Sequence, residues 1–154
     1  MIIKHNRLYN INVGIEDEFY SVHKCLENKY HLYLFGDNSI RIGTGGQATI
    51  RGTENSKGIR TKVFPSMSKE SFFSDEKFEE QFKMIEEDLN EALEICITHN
   101  LVLVFPAAGL GTGLSRLPEC APNIFKALCE LLVKHFGIGT TRIKNNEYKL
   151  SFIE

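Results

Sequence analysis

The sequence has few cysteines, few prolines and no long hydrophobic run, and each shortage excludes a class of protein. Four cysteines in 154 residues, without a Cys-x-x-Cys pair, exclude a disulfide framework and argue against a structural zinc site. Four prolines leave little room for a disordered low-complexity tract. The best apolar run, Leu101 to Phe105, is far shorter than the roughly 20 residues of a membrane-spanning helix. We therefore expect a folded protein with no membrane partner.

Length and composition predict one globular domain over residues 1–154. Hydrophobic residues make up 42% of the chain and charged residues 25%, both near the averages for soluble proteins. The first residues, Met1 to His5, contain no apolar stretch of signal-peptide length. We expect a cytoplasmic location with reduced thiols, and Cys96 and Cys129 are predicted to be small buried hydrophobes within helices. If the protein is viral, the compartment is the host cytoplasm.

The chain carries little net charge, but its charges are unevenly distributed. Eighteen basic and twenty acidic residues give a formal charge of −2. The segment from Ser39 to Lys69 is locally basic, with Glu54 as its only acid, whereas Glu70 to Glu94 is strongly acidic. The acidic stretch is typical of the solvated face of a helix and repels phosphates, which argues against extended nucleic acid as a partner. A small anion on the basic segment is compatible with this pattern.

Hydrophobic periodicity predicts alternating strands and helices. Tyr30 to Phe35 is a compact apolar run typical of a buried strand, and Thr61 to Phe64 predicts another. Apolar residues at steps of three and four predict a helix from Asp75 to Thr98. A second helix is predicted from Pro122 to a stop before Gly137.

The remaining elements complete an α/β pattern. Leu8 to Ile15 predicts a strand, Phe19 to Asn28 a short helix and Gln47 to Arg51 another short helix. Leu101 to Phe105 has no alternation, which is typical of a strand in the middle of a covered sheet. Thr140 to Ile153 predicts a terminal hairpin. We expect a single α/β domain with a central mixed or mostly parallel sheet, flanking helices and a C-terminal hairpin.

Half of the twelve glycines lie in two loops, and this is the main functional signal. Each loop follows a predicted buried strand and precedes a helix. Ligands of open α/β sheets bind beyond the carboxyl ends of the strands, where glycine lets backbone N–H groups approach a phosphate. Two such loops would form a diphosphate cradle, although each glycine could instead serve only a tight turn. The candidate residues of the loops are Gly43, Gly45 and Gly46 in the first and Gly109, Leu110, Gly111, Thr112 and Gly113 in the second.

Three polar side chains are predicted near this cradle. Asp37 and Asn38 follow a strand, where they would bind a ribose hydroxyl or an adenine amine, or else close the strand with an Asx turn. Gln47, at the start of the next helix, would contact a ligand or simply lie on the surface. No serine or cysteine is placed beside a histidine as a nucleophile and base pair, so Asp37 is the one catalytic candidate. The sequence therefore indicates a binding site more clearly than a catalytic one.

Several cations are candidate phosphate partners, although any one of them is more often an ordinary surface charge. They are Arg51, Lys57, Arg60, Lys62 and Arg116. Arg116 has the best position because it closely follows the second glycine loop.

These motifs together resemble a divergent macro domain. The resemblance lies in Gly36-Asp37-Asn38 after a hydrophobic strand, in Gly43 to Ala48, and in Val104-Phe105-Pro106 followed by Gly109 to Leu114. It covers about residues 30 to 136. Macro domains bind ADP-ribose and related nucleotides, so the resemblance implies that the first loop lines the distal ribose and the second wraps the diphosphate. The residues that it implicates are Asp37, Asn38, Gly45, Gly46, Gly109, Gly111 and Thr112.

The run from Gly45 to Arg51 is also similar to uncharacterised bacteriophage proteins, and phage proteins of this size include sponges that sequester nucleotide immune signals. The expected function is therefore binding of an ADP-ribose-like or cyclic nucleotide, and the alternative is a hydrolase of such a nucleotide. The expected partner is that small molecule, with no cofactor and no metal. The sequence leaves a homo-oligomer open.

Overall fold

The computed structural model describes all residues from 1 to 154 and shows a mixed sheet flanked by helices. The sheet strands are β1 Ile2–Asn6, β2 Ile11–Glu16, β3 His31–Asn38, β4 Ser56–Lys62 and β5 Val102–Pro106. The helices are α1 Val22–Glu27, α2 Phe78–His99, α3 Leu117–Cys120 and α4 Pro122–Phe136, with short 3-10 helices at Gly46–Ile50, Lys69–Ser71 and Asp75–Lys77. A separate antiparallel hairpin, β6 Ile138–Lys144 and β7 Glu147–Phe152, ends the chain.

The strand order is β1-β2-β5-β3-β4, and all neighbours except β1 and β2 are parallel. This confirms the predicted mixed, mostly parallel sheet and the C-terminal hairpin. β5 lies at the centre, and its Leu103, Val104 and Phe105 are completely buried. Their lack of alternation follows from this position, because helices cover both faces of the sheet.

The two faces carry different layers. Leu34 and Leu103 pack into the larger core with α2 and α4. Tyr33 and Val104, on the other face, pack against α1 and the 3-10 helix Gly46–Ile50. The chain therefore leaves β2 and β3 towards one face of the sheet and leaves β5 towards the other.

The long helix α2 and the helix α4 confirm the sequence periodicity. Ile85, Leu89 and Cys96 form the buried stripe of α2, as predicted, although Asp75–Lys77 is a 3-10 turn before the α-helix. Within this turn, the Asp75 carboxylate accepts the backbone N–H groups of Asn123 and Ile124, each at 3.0 Å. Asp75 thus caps the start of α4, whose own N-cap provides no side-chain hydrogen bond.

Several predicted boundaries were wrong. β1 was missed because its residues are exposed or half-buried and carry no apolar alternation. β3 continues past Phe35 to Asn38, where its backbone still pairs with β4. β4 runs from Ser56 to Lys62 and not from Thr61 to Phe64. The sequence prediction was wrong because the polar side chains of β4 that contact α2 hide the apolar pattern of a strand.

None of the helices combines the length and apolar character that crossing a bilayer requires.

Candidate functional site

A crevice opens where the carboxyl ends of β2, β5 and β3 meet. β3 and β5 pair only from His31–Val102 to Tyr33–Val104, and beyond that point the two strands separate. The chain leaves β5 towards the opposite face from its two neighbours, which makes this edge a topological switch point. Open α/β sheets bind their ligands at such points.

A cavity of about 730 Å³ occupies this crevice. Its volume lies within the range of small-molecule sites, roughly 300 to 1,000 Å³. Three segments line it: the end of β2 with the residues that follow it, the first glycine loop with Gly36, and the end of β5 with the second glycine loop. The lining residues are Glu16, Asp17, Glu18, Phe19, Tyr20, Gly36, Thr44, Gly45, Gly46, Gln47, Thr49, Pro106, Ala107, Ala108, Gly111, Gly113, Leu114 and Ser115.

Gln47 joins the two glycine loops. Its Oε1 accepts the backbone N–H of Gly36 at 2.9 Å, and its Nε2 donates to the carbonyl of Gly109 at 2.8 Å. The side chain therefore spans the gap between β3 and the second loop, where no strand pairing is left. Gln47 lines the cavity and also holds its walls together, a role that the sequence pattern did not suggest.

The glycines of the second loop serve two different purposes. Gly111 has a φ of +76°, and a Cβ there would lie 3.0 Å from a methyl carbon of Leu117 and 3.1 Å from the Cβ of Thr61, so the fold itself requires glycine. Gly113 has an ordinary φ, and a Cβ there would meet nothing within 4 Å. The fold therefore does not require glycine at position 113, and Gly113 lines the cavity.

Other residues predicted in this loop lie outside the cavity lining. Gly109 has a φ of +91°, and its carbonyl accepts a hydrogen bond from Gln47 Nε2. Leu110 is buried in the core. Thr112 Oγ1 donates to the carbonyl of Ala108 at 2.6 Å. These three residues shape the loop from within.

Asp37 points away from the cavity into a buried ion-pair network. Its Oδ2 accepts from Arg51 and from Arg41, each at 3.1 Å, and its side chain is 1% exposed. Burial alone would raise the pKa of this carboxyl, but the hydrogen bonds from Arg51, the Asn38 N–H and Arg41 outweigh burial and lower the pKa below its ordinary value. The carboxylate is therefore fully engaged within the protein.

The same network fixes the first glycine loop. Arg51 Nε donates to the carbonyl of Gly43 at 2.7 Å while the guanidinium holds Asp37. Asn38 closes the strand end, because its Nδ2 donates to the carbonyl of Ile42 at 2.8 Å and its Oδ1 accepts the N–H of Ile40. Gly43 and Asn38 thus support the loop, whereas Gly45 and Gly46 line the cavity.

The candidate cations do not line the cavity. Arg51 pairs with Asp37, Lys57 with Glu91, and Arg60 with Asp88 and Glu87. Lys62 and Arg116 form no ion pair, and each lies instead over the ring of Phe72.

The segment after β2 was not predicted as part of the site. Glu16 is buried and pairs with Lys24 at 3.0 Å, whereas Phe19 is 97% exposed at the cavity mouth. The Tyr20 hydroxyl is buried without a hydrogen-bond partner, and burial, followed by the nearby Tyr33 and Glu16, raises its pKa. The sequence signal that could have indicated this segment is its acidic and aromatic run directly after a strand. The prediction instead assigned Phe19 and Tyr20 to a helix.

The lining offers binding groups and little catalytic apparatus. Thr44, Thr49 and Ser115 supply hydroxyl groups, of which the Ser115 hydroxyl already pairs with that of Thr61 at 2.8 Å. No histidine or cysteine lines the cavity, and no group of three histidine, cysteine, aspartate or glutamate side chains is placed to hold a metal ion.

Comparison with known proteins places most of this architecture in one family. No curated protein and no solved structure gives a significant match to the chain. Residues 15–131 match a family model, and this range contains both glycine loops and every lining residue of the cavity. The chain therefore belongs to the family of unknown function DUF7831.

Proposed function

We propose that the cavity binds a small phosphorylated nucleotide derivative, of ADP-ribose type or a cyclic nucleotide, and that the protein holds this ligand without converting it. The observation that carries the proposal is the position of a cavity of about 730 Å³ at a switch point between two glycine loops. The resemblance to macro domains supports the choice of an ADP-ribose-type ligand.

The chemistry of the lining favours a ligand with several kinds of group. The exposed ring of Phe19 offers a face on which a base can stack. Asp17 and Glu18 are exposed carboxylates that would accept from ribose hydroxyls or an exocyclic amine. Since no lysine or arginine lines the cavity, phosphate oxygens there would be held by backbone N–H groups and threonine hydroxyls.

Binding without turnover is favoured because no histidine, cysteine or lysine lines the cavity to complete an acid and base pair with Asp17 or Glu18. Asp37, the one catalytic candidate from the sequence, is held by two guanidinium groups outside the lining. Glu16 is likewise paired with Lys24. Such a binder would act as a sponge for a nucleotide immune signal, the role suggested by the similarity to bacteriophage proteins.

One experiment tests both binding and turnover. The protein is titrated calorimetrically with ADP-ribose, cyclic ADP-ribose isomers and cyclic dinucleotides, and each bound ligand is then released by denaturation and chromatographed. Binding of at least one ligand with intact recovery supports the proposal. New products would establish a nucleotide hydrolase instead, and no heat with any ligand would refute nucleotide binding.

A further inference from the structure

Two cations share one aromatic ring and have no carboxylate partner. The Nζ of Lys62 lies 4.9 Å from the ring centroid of Phe72, and the guanidinium carbon of Arg116 lies 5.7 Å from the same centroid. Neither side chain forms an ion pair. A ring face attracts cations, but two positive charges near one ring repel each other.

Lys62 is the unusual member of this pair because it is buried. The residue is 5% exposed, and its only hydrogen-bond acceptor is the thioether of Met67 at 3.4 Å. An ammonium group has three donors and a thioether is a weak acceptor, so most of the hydrogen-bonding capacity of Lys62 is unused. Burial accordingly lowers the pKa of Lys62, while the nearby Cys120 acts in the opposite direction.

The other cations of β4 show that this arrangement is not general. Lys57 and Arg60 lie on the same strand, and each reaches a carboxylate of α2, Glu91 and Asp88 respectively. Lys62 is the one cation of β4 that forms no ion pair. A buried charge that lacks a counter-ion weakens the fold, which makes it a candidate for a ligand-binding role.

We propose that Lys62 and Arg116 form an anion site for a phosphoryl group, separate from the lining of the cavity. The guanidinium can bind two oxygens in parallel while the ammonium binds a third as a point charge. Met67 covers Lys62 but is itself 55% exposed and flexible, so a phosphoryl oxygen can replace its sulfur as the acceptor.

The site lies close to the cavity along the chain. Thr61 and Ser115 precede Lys62 and Arg116, and their hydroxyls are joined at 2.8 Å, with Ser115 in the cavity lining. The phosphoryl group therefore has two sources: free phosphate, or the phosphorylated end of a nucleotide held in the cavity. The second source rests on the proposed function, whereas the first does not.

Calorimetric titration with inorganic phosphate and pyrophosphate, at constant ionic strength, tests the site. The nucleotides named above are titrated in parallel. Lys62→Met and Arg116→Gln should each weaken binding at least about tenfold, whereas Lys77→Gln, on an exposed lysine, should leave it unchanged. Met67→Ala should bind at least as tightly as the native protein.

The outcomes separate the sources and the two proposals. Loss of phosphate binding in Lys62→Met and Arg116→Gln, with phosphate binding retained in Gly113→Ala, identifies a site for free phosphate whatever the cavity binds. If the two charge variants lose nucleotide binding and the native protein does not bind free phosphate, the site holds the phosphoryl end of a nucleotide. If no phosphoryl compound depends on Lys62 or Arg116, the site is refuted.

A stability measurement covers the case in which Lys62→Met perturbs the fold. In phosphate-free buffer this variant should unfold at a higher temperature than the native protein, because it removes a buried charge without a partner. A lower unfolding temperature would show that Lys62 stabilises the fold and would contradict the argument from its burial. Arg116 is exposed, so Arg116→Gln should leave the fold intact. The binding test with this variant is therefore valid in either case.

Discussion

The side-chain amide of Gln47 donates to the carbonyl of Gly109 at 2.8 Å, across the gap that separates β3 from the second glycine loop. The same amide accepts the N–H of Gly36. β3 and β5 no longer pair at this level, so one side chain replaces strand pairing and sets the distance between the two walls of the cavity. Gln47 therefore helps to hold the two walls of the cavity together, beside the hydrogen bond between the Thr61 and Ser115 hydroxyls.

Gln47→Glu should separate the walls. The carboxylate can still accept from Gly36, but it has no hydrogen to donate to Gly109 and would repel that carbonyl. We expect a loss of about 0.5 to 1.5 kcal/mol in the free energy of unfolding, the range for one hydrogen bond, because Gln47 is only half-buried. Urea denaturation measures this loss. Asn90→Asp, which adds the same charge on the exposed face of α2, is the control, and an equal loss in both variants would contradict the bridging role.

Gly113→Ala should weaken ligand binding while leaving stability nearly unchanged. The new Cβ meets no protein atom within 4 Å, so it causes no clash within the protein. Because Gly113 lines the cavity, the added methyl group would reduce the room for a ligand that contacts this backbone. We expect at least about a tenfold loss of affinity for the nucleotide that binds, equivalent to roughly 1.4 kcal/mol. Calorimetry and thermal unfolding together check this expectation. Unchanged affinity would show that the ligand does not approach this backbone.

Gly111→Ala provides the matching contrast. A side chain there would have to adopt a φ of +76° and would crowd Leu117 and Thr61, so the variant should lose stability even without ligand. A left-handed non-glycine residue costs about 1 to 3 kcal/mol before any crowding is added. Thermal unfolding without ligand is the measurement. Full stability in Gly111→Ala would mean that the loop can rearrange.

Asp37→Ala should destabilise the protein and change its response to acid. Removing one partner of a fully buried ion pair costs about 3 to 5 kcal/mol, and here the loss should be smaller, because Arg41 keeps its ion pair with Asp88 at 2.8 Å and only Arg51 loses its counter-ion. Since the native pKa of Asp37 lies below the unfolded value, its contribution is complete above that value and is lost as pH falls through the native pKa. The variant should therefore lose less stability on acidification.

Urea denaturation at a series of pH values below neutrality measures this difference. Glu94→Gln removes an exposed carboxylate of α2 that has no ion pair, and it should follow the native acid profile. Parallel acid profiles for the native protein and Asp37→Ala would contradict the role given to this carboxylate.

The core elements could be read from the sequence because their signals are local. The uninterrupted apolar run of β5 and the apolar stripes of α2 and α4 report burial directly. The direction of Asp37 could not be read in this way. It depends on Arg51, fourteen residues away, and on Arg41, whose backbone adopts a left-handed φ of +60°. Such contacts exist only after the loop has folded.

The sequence shows where the two glycine loops lie, but not which of their glycines the fold itself requires. Gly111 and Gly113 look alike in sequence, and only the packing of Leu117 separates a glycine that the fold requires from one that it does not. The segment after β2 was missed for a related reason. Its acidic and aromatic side chains reach the cavity because β2 lies beside β5, a pairing between distant parts of the chain.

Asp75→Ala should destabilise the start of α4 specifically. The carboxylate accepts two N–H groups of the first helical turn, from Asn123 and Ile124, and its charge also interacts favourably with the helix dipole. Loss of a cap costs about 0.5 to 2 kcal/mol. Amide hydrogen exchange of Asn123 and Ile124 should accelerate more than that of residues in the middle of α4. Glu76→Ala is the control, since this neighbouring carboxylate is exposed and has no ion pair or hydrogen-bond partner for its side chain. If both variants exchange alike at Asn123, the effect belongs to the net charge of the 3-10 turn and not to a cap contributed by Asp75.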